Sequence, residues 1–106
     1  MDRGKYKIIE LDADSLNDLD SCAKVLKLIN KQLEKENYFL ALDFTNVTYM
    51  NSTFIAILAN THNRIRRQHG QLALFNLNTN VQHLLEITNL TKVFTIVKTA
   101  ADLETL

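Results

Sequence analysis

The stretch ALDFTNVTYMNSTFIAILAN, Ala41 to Asn60, joins two apolar segments through three small polar residues, Asn51, Ser52 and Thr53. On its N-terminal side, Tyr38–Phe44 is a nearly continuous apolar run, which suits a strand covered on both faces. On its C-terminal side, Phe54, Ile57, Leu58, Thr61 and Ile65 recur at helical spacing, so a helix begins near Phe54. Strands that alternate with helices build parallel α/β sheets, and the rest of the chain can be tested against that idea.

Working outward, the alternation continues. Tyr6, Ile8, Ile9 and Leu11 predict a first strand over Lys5–Leu11. Ser15, Asn17 and Asp18 are candidate caps for a first helix. Leu19, Cys22, Leu26, Ile29 and Leu33 recur at spacings of 3, 4, 3 and 4 and form one helix face, with Lys24, Lys27, Lys31 and Glu34 on the wet side. That helix ends near Asn37. Downstream, Gly70 is a natural helix stop, and Gln71–Leu77 reads as a second buried strand. Val81, Leu84, Leu85 and Thr88 form a short third helix capped by Asn78 or Thr79. Lys92–Val97 is the last strand, and Thr99 caps a final helix over Ala100–Leu106. The order β-α-β-α-β-α-β-α predicts an α/β fold with a mixed, mainly parallel sheet of four to five strands and about four helices packed against it.

Bulk properties narrow the function. The chain of 106 residues fits one domain, 1–106, and has no proline, linker or repeat. Twelve basic residues balance twelve acidic ones, so no strong net field points to nucleic acid or an anionic membrane. With Cys22 as its lone cysteine, the chain can form neither an intramolecular disulfide nor a cysteine zinc cluster. His62, His69 and His83 show no ligand spacing, so no metal or cofactor is expected. The N-terminus lacks a hydrophobic region with a cleavage site, and Phe54–Ala59 is far shorter than the ~20 residues of a membrane span. A soluble, cytoplasmic protein is expected. No Gly-rich phosphate loop, HExxH, GxSxG or local carboxylate pair is present, so no catalytic residue is assigned and enzymatic chemistry is not expected.

The junction itself allows two readings. Asn, Ser and Thr cap helices by accepting hydrogen bonds from first-turn N–H groups. Capping accounts well for one of the three residues but not for three in a row. The same helix start carries a positive partial charge and unpaired donors, so a hydroxyl there can hold a phosphate without unfolding the helix. A phosphate adds nearly two negative charges and would eject a partner docked over the helix start. A phosphorylated hydroxyl at this point is a candidate binding switch.

The segments LDFTNVTYMNSTFIAIL, RIRRQHGQLALFNLN and VQHLLEITNLTKVFTIV together resemble the STAS domain family, the fold of bacterial anti-sigma factor antagonists. The likeness is close over Leu40–Val97 and looser over Lys5–Asn37, where the usual opening pair of strands reads as cut to one. It implies a partner-switching role in transcription regulation. Such proteins bind an anti-sigma factor, a serine/threonine kinase of the histidine-kinase-like ATPase fold. The kinase phosphorylates the second hydroxyl of an Asp-Ser-Ser-Gly motif and so breaks the complex, and a phosphatase resets it. On this chain Asn51 falls at the Asp, Ser52 at the first Ser, Thr53 at the second Ser and Phe54 at the Gly. The resemblance thus makes Thr53, with Ser52, the expected phosphoacceptor. Asn51, Phe54, Asn46, Thr48, Asn78 and Thr79 are expected to frame the partner surface.

Asn51 removes a carboxylate, and Phe54 puts a ring where the family often has no side chain. The ring either clashes with a partner or buries itself. These two departures keep open a non-phosphorylated scaffold, or a cytosolic regulatory subunit of a membrane transporter. A small-ligand sensor with a pocket at the strand ends is a third class. Elsewhere the ordinary explanations lead. Arg64, Arg66, Arg67 and His69 suit the last turn of a helix, and Cys22 suits a helix core face. His83 is read as a partly exposed histidine, and Asp43, Thr45 and Asn46 as a turn cluster.

Overall fold

The computed structural model describes residues 2–11, 15–16 and 19–106. Five strands form the main sheet: β1 (Asp2–Arg3), β2 (Tyr6–Glu10), β4 (Phe39–Asp43), β6 (Gln71–Phe75) and β7 (Thr95–Val97), in the order β1-β2-β4-β6-β7. β1 pairs antiparallel with β2, and every other pairing is parallel. The opening pair of strands, expected to be cut to one, is therefore present. Gly4 turns between β1 and β2 with φ of 57°, a conformation open to glycine.

From β2 to β7 the chain advances across the sheet in one direction. Right-handed crossovers in one direction put all their helices on the same face. The helices are α1 (Leu19–Glu34), α2 (Ser52–Arg67) and α3 (Thr79–Ile87). Strand residues alternate between the two faces. Leu40, Leu42, Leu72 and Leu74 join Cys22, Val25, Ile29, Phe54, Leu58, Ile65, Val81 and Leu85 in one core. Tyr6, Ala41, Ala73 and Phe75 point the other way and pack with Leu103 of the closing 3-10 helix, Ala100–Thr105. The sheet is thus covered on both faces, as the apolar runs predict.

Several boundaries differ from expectation. In α1 the deepest stripe is Cys22, Val25 and Ile29, while Leu26 and Leu33 are half-buried. The helix is turned so that Val25, not Leu26, meets the sheet. Of the three candidate caps, Ser15 lies in a two-residue strand, and Asn17 and Asp18 lie outside the described residues. The last strand is shorter than Lys92–Val97, because Leu90–Lys92 forms a 3-10 turn. The Gln71 strand stops at Phe75, where Asn76 takes a positive φ of 58°.

Gly70 follows α2 for a different reason from the expected one. The left-handed residue after the helix is His69, with φ of 60°. A Cβ on Gly70 would lie 1.9 Å from the Tyr38 carbonyl oxygen. That carbonyl accepts the Gln71 N–H at 2.9 Å and begins the β4–β6 pairing. Gly70 is what allows the two strands to meet.

Candidate functional site

The site is the junction before α2, and it is better ordered than a loop. Ser15–Leu16 (β3) pairs parallel with Tyr49–Met50 (β5), so the chains entering α1 and α2 run side by side. Val47 and Met50 are buried, whereas Thr48 and Tyr49 are exposed. Val47 and Met50 pin the junction to the core, and the two residues between them stay wet.

α2 starts at Ser52, two residues before the expected Phe54. Asn51 is the N-cap in extended backbone, and its Oδ1 accepts the Phe54 N–H at 3.0 Å. Helix geometry leaves the Ser52 and Thr53 N–H groups without intrahelical acceptors. Both side chains are exposed. The three polar residues therefore divide into one cap and two hydroxyls at the positive end of a sixteen-residue helix.

Phe54 does not belong to the docking face expected of it. Its side chain is 0% exposed and meets Phe44 edge to face, with centroids 6.5 Å apart. At the third helical position its side chain turns inward. The ring that replaces the family's glycine is a core residue, and it leaves the surface above the hydroxyls clear.

The neighbouring turns are tied to the same junction. Asn78 caps α3 by accepting the Val81 N–H at 2.8 Å, while its Nδ2 donates to the Val47 carbonyl at 3.1 Å. Asp43 Oδ1 accepts the Thr45 N–H at 2.9 Å, and Asn76 Nδ2 donates to Asp43 Oδ1 and to Thr45 Oγ1. The Asp43 cluster is a turn, and its hydrogen bonds run within the protein. Asn46, Thr48 and Thr79 are exposed. The links from Asn78 to Val47 and from β3 to β5 thus join the α2 start, the 44–48 turn and the α3 start in one framework.

Sequence reasoning passed over His62. Its ring meets Phe94 edge to face at 5.6 Å, and its buried Nδ1 has no hydrogen-bond partner among the described residues. Burial, and then the nearby Arg66 charge, lowers its pKa from the ordinary histidine value. Its place at i+4 from Leu58 on the α2 pattern was the available signal. On the other face, burial raises the Tyr6 pKa, and its hydroxyl donates to Gln71 Oε1. His83 is exposed and Cys22 is 3% exposed in the core. A depression of about 430 Å³ lies past the ends of β6 and β7, bordered by Leu77, Gln82 and Lys98, but few polar groups converge on it.

Among the described residues, no group of three or more His, Cys, Asp or Glu side chains could hold a metal, and no helix is long and apolar enough to cross a membrane. What the fold and junction define is an α/β domain that presents two hydroxyls at a capped helix start. The sequence profile of the STAS domain matches residues 8–104, and the chain belongs to that family.

An anti-sigma-B factor antagonist of Listeria monocytogenes is 29% identical over 97 residues, covering 85% of each chain. Solved structures share the fold. The crystal structure of a candidate anti-sigma factor antagonist from Thermotoga maritima superposes with a TM-score of 0.81 at 20% identity, covering 92% of this chain and 85% of that one. The Bacillus cell fate determinant SpoIIAA in its phosphorylated form gives 0.74 at 11% identity, covering 99% and 94%.

Proposed function

We propose that this protein is an anti-sigma factor antagonist: a binding regulator, not an enzyme, whose protein partner is a kinase-like anti-sigma factor. Thr53 would be the phosphoacceptor, with Ser52 beside it. The observation that carries this reading is the exposed Thr53 hydroxyl at the second helical position of a helix start that Asn51 caps and the buried Phe54 anchors. A phosphate there would sit against free N–H donors and the helix dipole, so the fold would tolerate it. A partner seated over the junction would meet nearly two new negative charges. Modification would therefore break the complex without unfolding the antagonist. Asn46, Thr48, Asn78 and Thr79 would frame the docking face. A phosphatase would restore binding, and the cycle would run in the cytoplasm on one domain, 1–106.

The Listeria relative's name supports the role, and the buried Phe54 removes one objection to it. The test is affinity capture from native cells with wild type, Thr53→Ala and Thr53→Glu, followed by mass spectrometry. The expected result is a kinase-like protein held by the first two baits and lost by the third. Equal capture by all three would overturn the switch.

Asn51 favours a second reading. Asparagine caps as well as aspartate but supplies no charge or proton site next to the hydroxyl. A protein no longer read by a kinase would act as a constitutive scaffold or a transporter's regulatory subunit. Co-purification with transporter subunits, independent of the residue at 53, would support that alternative.

A further inference from the structure

The interhelical groove between α1 and α2 opens at Thr53. It holds about 250 Å³ and is lined by Leu26 of α1 and by Thr53, Ala56, Ile57, Asn60, Thr61 and Arg64 of α2. Three features distinguish it from an ordinary furrow. Leu26, Ala56 and Ile57 give it an aliphatic patch. Thr61 on its wall is 1% exposed, and its hydroxyl has no hydrogen-bond partner among the described residues, whereas a helical threonine commonly bonds the carbonyl one turn back. At its far end Arg64 Nη1 donates to Asn30 Oδ1 at 2.9 Å, which orients the guanidinium across the groove and leaves its other N–H groups for a ligand.

Charge is also unevenly placed. The chain is neutral overall, yet α1 and α2 carry Lys24, Lys27, Lys31, Arg64, Arg66 and Arg67 against only Asp20 and Glu34. A local positive field selects an acidic partner. The volume narrows the choice further, because drug-sized ligands usually occupy roughly 300–1,000 Å³. A groove of about 250 Å³ suits one or two protein side chains better than a metabolite.

We propose that this groove receives an extended acidic segment of the protein partner. An apolar side chain fills the space over Leu26, Ala56 and Ile57. A carboxylate following the apolar residue pairs with Arg64. This rests on the reading of Thr53 as a switch, and it gives the switch a direction. A phosphate on Thr53 would stand at the groove's mouth and repel an acidic segment. The docking face would then extend along α2 as well as over the turns at Asn46 and Thr79.

The test places a benzophenone amino acid at position 56 of the full chain, or at position 79 as the comparison. Native cells are irradiated and the crosslinked peptides are sequenced. The expected result is one protein captured from both positions. The peptide joined at 56 should carry an apolar residue next to aspartate or glutamate. Against that purified protein, Ala56→Arg should weaken binding about tenfold or more, the scale of a hot-spot loss. Thr105→Arg, on the opposite sheet face, should not. Ala56 is exposed and arginine is a good helix former, so the variant folds, and circular dichroism melting verifies this. Arg64→Glu should weaken binding and flatten its salt dependence.

Adducts from position 79 alone would overturn the groove and leave the switch standing. Adducts from neither position would overturn both. A captured segment without an acidic residue, or unchanged affinity for Ala56→Arg, would overturn the proposed occupant.

Discussion

Phe54 and Thr53 are neighbours with opposite duties, and single substitutions separate them. Phe54 is wholly buried against Phe44, so Phe54→Ala removes a large ring and leaves a cavity. The expected loss of stability is about 3–5 kcal/mol, read by urea denaturation. Thr53 is exposed, and a carboxylate in the first turn favours the helix dipole. Thr53→Glu is therefore expected to leave the denaturation midpoint unchanged or slightly raised, so any binding it loses is lost at the surface. His62 makes a third, pH-dependent case. Burial and then Arg66 hold its pKa below the ordinary value of about 6.5, so the unfolded chain takes up the proton first as pH falls. Its contribution to stability is full above pH ~6.5 and is lost as pH falls from there through the folded value. Melting temperature should decline across that window, and His62→Leu should decline less. Parallel curves would mean that His62 does not couple folding to protons.

At the level of the element, Gly70 shows what a sequence conceals. As a residue it reads as a helix stop, but its necessity comes from Tyr38, on a different element, whose carbonyl a Cβ would strike. Gly70→Ala must push β4 from β6 and is expected to cost more than about 3 kcal/mol, above the usual overpacking range. His69→Gly relieves a left-handed residue and should gain up to about 1 kcal/mol. A pair of melts checks both, and a harmless Gly70→Ala would show that the strands can separate. The contrast explains what was legible. The α2 pattern, the cap chemistry at Asn51 and Asn78, and the apolar strands are local signals of period and residue type, and they located the helix-start hydroxyls. Asp2–Arg3 and Tyr49–Met50 are too short for any period and exist as strands only because a partner lies alongside. The inward turn of Phe54 and the choice of Val25 over Leu26 depend on how each helix is rotated on the sheet, which packing sets.

Across the whole molecule, the two faces of the sheet are covered unequally, and that separates folding from function. Three helices cover the face that carries the α2 junction and the interhelical groove. The second core, Tyr6, Ala41, Ala73 and Phe75, is closed by the last 3-10 helix through Leu103, which is 2% exposed. Its lid is held by modest contacts. The Thr99 N–H bond to Asp102 Oδ2 at 3.1 Å only caps the closing helix itself, and the Arg3–Glu104 ion pair that ties it to β1 is exposed and worth little. Leu103 is thus the main apolar anchor of that face, and Leu103→Ala is expected to cost about 2–4 kcal/mol. Because the loss falls on the face opposite Thr53, partner binding below the melting transition should keep its affinity. Denaturation and partner titration on the same variant check this together. If Leu103→Ala weakened binding well below its melting temperature, the two faces would be coupled through the sheet, and the closing helix would belong to the regulatory surface.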